Sequence, residues 1–171
     1  MTLTIAPEVF KVPTSKRDPS LVALMMPFDT RYNAVSDAIK EAATSLSLDC
    51  KRVDDIWEDS TIIQDVFNLI FASAFVVCDF SERNSNVFYE SGIAHTLGRT
   101  VIPIVQDIRD IPSDLKQHRA IKYLPNNEGL LKLKADITKR MKSLKARNQP
   151  TTKKKGRNRR KVYQGETTNG N

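Results

Sequence analysis

Apolar residues along this chain fall into two alternating rhythms. Leu21–Phe28 (LVALMMPF) is a continuous apolar run closed by Pro27, the pattern of a strand buried on both faces. From Tyr32 to Leu48, Val35, Ala38, Ile39, Ala42, Ala43 and Leu46 recur at three- and four-residue steps, which predicts an amphipathic helix. Asp49–Val53 reads as a short strand, and an acidic loop with Asp54, Asp55, Glu58 and Asp59 follows. Thr61 and Gln64 have the spacing of a capping box and predict a helix to about Ser73. Phe75–Phe80 is the next buried strand, and Asn86 to about Leu97 the next helix, with Gly98 as its stop. Thr100–Gln106 reads as a strand whose Pro103 points to an edge or a bulge. A short helix over Ile111–Arg119, a last strand over Ala120–Leu124 and a closing helix over Glu128–Lys145 complete the pattern.

Strands and helices alternate, and the strands are mostly continuous rather than alternating apolar runs. This predicts an α/β fold: a flavodoxin-like, doubly wound, mostly parallel five-stranded sheet with helices on both faces. Ligands of such sheets bind beyond the carboxyl ends of the strands. The loops of interest are therefore Pro27–Arg31, Asp54–Ser60, Asp79–Asn86 and Gln106–Asp114.

Composition narrows the class. A chain of 171 residues with 40% hydrophobic content is long enough for one domain with its own core. The longest apolar stretch, Leu69 to Cys78, is ten residues, about half of the ~20 a membrane-spanning helix needs, so no membrane association is expected. The first 25 residues show no basic-then-apolar signal segment, and Cys50 and Cys78 are too few for a disulfide framework, which suits the cytoplasm.

The net charge of +7 divides unevenly. Residues 145–171 hold nine Lys/Arg against one acid, whereas residues 1–144 sum to −1. The expected organisation is a flexible leader over 1–20, the α/β domain over 21–145 and a disordered basic tail over 146–171. In the tail, Lys153, Lys154, Lys155, Arg157, Arg159, Arg160 and Lys161 form a run suited to non-specific nucleic-acid contact or simply to solubility.

The densest chemistry lies between Asp79 and Glu90 (DFSERNSNVFYE). Asp79 ends a buried strand at the expected crevice. Asn84 and Asn86 stand in the loop and at the helix start, where amide side chains cap helices or bind hydroxyls. Glu90 shares a helix face with Asn86 and has Val87, Ile93, Ala94 and Leu97 as apolar neighbours. Two readings stand for this carboxylate: a reactive group near the core, or a partly solvated one favoured by the helix N-terminus. His95 falls about 140° around the helix from Glu90, which suits packing better than catalysis. Trp57 either stacks on a base or closes the core. The Asp54–Asp59 acids lack a Gly-rich calcium loop, so no metal is expected. Cys78 reads as a small buried hydrophobe. Pro27 and Phe28 stand where a Gly-rich phosphate loop would be, so no dinucleotide cofactor is expected.

The segment FVVCDFSERNSNVFYESGIAHTLGRTVIPIVQ resembles the signature of the nucleoside 2-deoxyribosyltransferase-like superfamily, nearest to a bacterial and phage branch described as nucleotide-binding or TIR-like. LMMPFD, RVDDIWEDSTIIQDVF and DIPSDLKQHRAIKY fit the same branch in order, so the resemblance covers roughly residues 21–125. It implies N-glycosidic cleavage or transfer on a nucleoside, a nucleotide or an NAD-like molecule, without a cofactor. It makes Glu90 the nucleophile, with Asn84 and Asn86 holding sugar hydroxyls beside Tyr89. Asp79 would orient the loop or help protonate the leaving base, and Phe28, Asp29 and Asp55 would line the far side of the pocket. Asn84 stands six positions before Glu90, where classical deoxyribosyltransferases carry an acid; this favours hydrolysis or a different sugar. The alternatives are a TIR-like NAD hydrolase and a non-catalytic nucleotide-sensing module. The branch also implies a bacterial or phage-infected cytoplasm and a homodimer or higher oligomer.

Overall fold

The structure, a computed structural model, describes residues 8–14, 16–56, 61–116 and 118–148. The basic run at Lys153–Lys161 and Trp57, Glu58 and Asp59 lie outside the described residues.

Five parallel strands form one sheet in the order β2-β1-β3-β4-β5: β1 (Leu21–Met25), β2 (Asp49–Arg52), β3 (Phe75–Asp79), β4 (Thr100–Val105) and β5 (Ile121–Lys122). Between and after them run α1 (Asn33–Thr44), α2 (Ile62–Ala72), α3 (Ser85–Thr96) and α4 (Asn127–Asn148). This is the flavodoxin-like arrangement predicted from the continuous apolar strands.

Residue alternation along the strands makes two cores. Val22, Leu24, Phe75, Val77, Ile102 and Ile104 face α1 and α4, packing on Val35, Ile39, Leu133, Ile137 and Met141. Ala23, Met25, Val76, Cys78 and Val105 face α2 and α3, packing on Val66, Leu69, Ile70, Val87 and Ala94. Every residue of β3 is buried, as a strand covered on both faces requires. Gly98 follows α3 with φ +64, the left-handed stop that glycine adopts at low cost.

Local details differ from expectation where tertiary contacts compete. Thr61 precedes α2 without a side-chain cap bond. Gln64 instead binds the leader, accepting from Lys11 N at 3.0 Å and donating to Lys11 O at 2.9 Å, so the capping box is not formed. The segment 111–119 is no helix: Pro112 is extended at ψ 152, leaving short 3-10 turns at Ile108–Asp110 and Ser113–Leu115. The last strand shortens to Ile121–Lys122, which pair with Ile104 and Val105 at the end of β4. Pro103 therefore lies one position before the β4–β5 pairing begins, where no bond to β5 is interrupted.

The leader adds no strand among its described residues. It straps the sheet's amino end instead: Phe10 stacks on Phe67 with ring centroids 4.6 Å apart, and Arg17 donates to the carbonyls of Ser73 and Ala74. These carbonyls lie just past α2, where a cation complements the helix dipole.

Candidate functional site

The order 2-1-3 places the switch of strand direction between β1 and β3, so the crevice opens between residues 26–31 and 80–85. A bidentate ion pair crosses it. Arg31 Nη1 and Nη2 lie 2.9 and 3.3 Å from the Glu82 carboxylate oxygens, and Asp29 holds the same guanidinium from its own side. Asp29 also accepts from Arg31 N at 2.9 Å. Its arginine bonds hold the Asp29 carboxyl below the usual carboxylate range.

Glu82 and Arg83 both sit in the left-handed region, at φ 59 and 54. Two consecutive non-glycine residues there are strained and need outside support. Asp110 supplies it, accepting from Glu82 N at 3.0 Å and facing Arg83 Nε at 3.5 Å, while Arg83 also donates to Arg109 O. The turn so held leads into Asn84, whose side chain accepts from Asn86 N at 3.0 Å and Val87 N at 3.3 Å. Asn84 is thus the N-cap of α3, and Asn86 is exposed on its first turn.

Asp79 anchors this loop from beneath. Its Oδ1 accepts from Ser81 N at 3.0 Å and from Ser81 Oγ at 2.6 Å, and its Oδ2 accepts from the Tyr123 hydroxyl at 2.6 Å. Ser81 Oγ in turn accepts from Gln106 N, and Gln106 Nε2 donates to Tyr123 Oη at 3.1 Å. The network ties together the carboxyl ends of β3, β4 and β5. Asp79 is fully buried, and that burial raises its pKa against the lowering effect of the Ser81 and Tyr123 bonds.

Glu90 has a different environment. It is 7% exposed, on the α3 face that carries Val87 and Ala94, and the charge of its carboxylate is felt at the Cys78 thiol. Among the described residues no donor or cation is paired with it. Burial alone pushes its pKa up to about 7. Asp79 and Glu90 approach the end of β3 from opposite faces: Asp79 bonds Tyr123 of the α1–α4 core, while Glu90 lies beside Cys78 of the α2–α3 core.

The structure does not gather the remaining expected site residues: Tyr89 lies with Phe10, Phe67 and Gly92 along the outer groove of α2 and α3, whereas Phe28 lies in the crevice loop beside Arg52. Phe28 is 54% exposed, with its ring centroid 5.9 Å from the Arg52 guanidinium carbon, and Tyr89 is 53% exposed. Asp55 is committed to structure: it accepts from Lys40 Nζ at 2.8 Å and caps Arg52 N at 3.0 Å. Asp54 pairs with Arg52 at 2.8 Å, so both described acids of this loop are matched by cations. His95 stacks on His118 with centroids 5.1 Å apart, a packing role at the far end of α3.

The residue-by-residue reading overlooked Arg52 and Tyr123. Arg52 is buried, shares the inward side of β2 with Cys50, and leaves its Nε without a partner among the described residues. The alternation of DCKR was the available signal, since it turns Cys50 and Arg52 to the same side. Tyr123 gave no local signal, because its role depends on a contact 44 positions away.

No family model matches this sequence, and no curated protein is similar to it. Among solved structures the chain is similar to a 2-desoxiribosyltransferase from Leishmania mexicana. The identity is 19% and the TM-score 0.42, over 52% of this chain and 66% of that one. The chain thus spans just under two thirds of that protein's length. Among the described residues no helix is long and apolar enough to cross a membrane.

Proposed function

We propose that this protein cleaves the N-glycosidic bond of a nucleoside or nucleotide, with Glu90 as the nucleophile. The observation that carries the reading is the setting of Glu90: nearly buried and without a donor or cation among the described residues, a burial that pushes its pKa up to about 7. A carboxylate held this way is poorly solvated and stabilises an adjacent positive charge strongly. The oxocarbenium-like sugar of a breaking glycosidic bond supplies that charge. The quoted motifs between Asp79 and Gln106, through their resemblance to the deoxyribosyltransferase-like superfamily, support the same role for the same residue.

In this reading the Glu90 carboxylate attacks the anomeric carbon as the bond to the base nitrogen breaks. The electron pair leaves with the base, which takes a proton from solvent. Water then attacks the glycosyl ester, returning free sugar and the Glu90 carboxylate. Asp79, with both oxygens occupied, is a positioning residue that holds the loop carrying Asn84. Phe28 in the crevice loop and Asn86 on the first turn of α3 are exposed, which suits contact with a base and a sugar in this reading.

A second reading, a nucleotide-binding module without turnover, is favoured by the sequestration of Asp79. A glycosidase of the paired-carboxylate type needs a second free acid near the nucleophile, and Asp79 has both oxygens engaged. Incubation with nucleosides, nucleoside monophosphates and NAD, with chromatography for released base, separates the two. Base released from any of them supports cleavage; ligand binding without release supports the module.

A further inference from the structure

We propose, resting on the reading that a nucleoside or nucleotide occupies the crevice, that the Tyr32 hydroxyl is a ligand-binding group placed to meet an uncharged hydroxyl of the substrate's sugar. Tyr32 ends the short turn Thr30–Tyr32 after β1 and is 1% exposed, within the core cluster that holds Met26 and Val35. Its hydroxyl is buried and has no hydrogen-bond partner among the described residues. A buried hydroxyl left unpaired costs stability, and buried tyrosines usually find a partner. Phenylalanine would fill the same space without that cost.

The surroundings give the hydroxyl a use. The Arg31 guanidinium carbon lies 5.9 Å from the Tyr32 ring centroid, and the same guanidinium crosses the crevice to Glu82. Burial raises the Tyr32 pKa, and the negative charges of Asp79 and Glu82 raise it further, so both carboxylates are near enough to act on the hydroxyl. Neither accepts from it. Asp79 is engaged by Ser81 and Tyr123, and Glu82 by Arg31. The Tyr32 oxygen is left with its donor and acceptor capacity unused at the carboxyl ends of β1 and β3.

Charge selects the ligand group. The two carboxylates repel a phosphate or carboxylate here, and the Arg31 cation is already matched by Asp29 and Glu82. A neutral hydroxyl suits the place better: it can donate to a carboxylate and accept from Tyr32. A sugar hydroxyl is such a group. The cover over Tyr32 is light, since Arg31 and Glu82 are 64% and 55% exposed. Exposed ion pairs of this kind contribute little and give way readily. A sugar that takes over the Glu82 carboxylate then reaches the Tyr32 hydroxyl.

Binding calorimetry tests this on the full chain carrying Glu90→Gln, so that ligand is not consumed, with and without Tyr32→Phe. The probes are adenosine, uridine, their monophosphates and analogues of each lacking one sugar hydroxyl. Without ligand, Tyr32→Phe is expected to melt at or above the temperature of the protein that keeps Tyr32. It is expected to bind the parent ligand roughly tenfold more weakly. One of the deoxy analogues should bind both proteins equally, because it lacks the hydroxyl that Tyr32 meets. A ligand-free Tyr32→Phe protein that melts lower, or does not fold, overturns the proposal by showing that the hydroxyl has a structural partner. Equal affinity of both proteins for the parent ligand overturns it while the nucleoside reading stands, and so does a loss of the same size with every analogue. A chain that binds none of the probes overturns this proposal and the nucleoside reading together.

Discussion

The Tyr123 hydroxyl donates a 2.6 Å hydrogen bond to Asp79 from 44 residues away, joining the end of the sheet's central strand to the segment after its edge strand. Both groups are buried, and the same carboxylate holds Ser81 at the start of the loop that caps α3. The Asp79 carboxylate thus links the far edge of the sheet to the helix that carries Glu90.

Tyr123→Phe removes one donor and leaves Asp79 Oδ2 buried without its bond. Stability is expected to fall by about 1–3 kcal/mol, the cost of an unsatisfied buried acceptor. Urea denaturation of Tyr123→Phe, Asp79→Asn and the double variant checks it. The double variant should lose less than the sum of the singles, since the two residues act through one bond.

Glu90→Gln is expected to stabilise the fold, in a pH-dependent way. The native carboxyl titrates at about 7 against an ordinary value of 4.5, so between these values the folded state binds more protons than the unfolded state. Wild-type stability therefore falls as pH rises from 4.5 to 7, by an amount on the order of 3 kcal/mol. Denaturation at pH 4 should show the two proteins nearly equal, and at pH 8 the glutamine variant should be the more stable. A wild type equally stable at both, relative to the variant, contradicts the buried, unpaired state of Glu90.

Arg31→Ala should leave global stability nearly unchanged, because its pairs with Asp29 and Glu82 are solvent-exposed and screened. The larger effect falls on the loop, where Glu82 and Arg83 lose one support for their strained backbone. Faster amide exchange across residues 81–84, with an unchanged rate in β3, is the expected result by hydrogen-exchange mass spectrometry.

The glycines separate three kinds of cost. Gly98→Ala meets open space but must hold φ +64, so about 1 kcal/mol is lost. Gly129→Ala would drive its Cβ into the Leu124 carbonyl oxygen, so the backbone must move and the loss is larger. Gly92→Ala has neither problem and should raise the stability of the isolated chain by up to about 1 kcal/mol. Thermal melts of the three variants at low concentration rank them.

The central strands were readable from sequence because they are continuously apolar, as at Val22–Met25 and Phe75–Cys78, whereas β2 alternates as DCKR. The inward face of α3 was readable for a related reason: Val87, Glu90 and Ala94 recur at helical spacing, which set Glu90 against the core before any contact was known. What escaped was long-range or conformational. Gln64 fits a capping pattern but is drawn to Lys11. Ser113–Leu115 is helical only for a turn because Pro112 cuts the segment. The Arg31–Glu82 bridge and the left-handed pair at Glu82–Arg83 exist because distant loops meet, and no local spacing encodes that meeting.

The most direct test compares base release by wild type and Glu90→Gln, on whichever nucleoside, nucleotide or NAD substrate reacts, as a function of pH. The account predicts that kcat/KM rises with pH through a limb near 7, as Glu90 ionises, and that the glutamine variant is slower by roughly 10³-fold or more, with no such limb. A glutamine variant that releases base as fast as wild type, with the same pH profile, contradicts it.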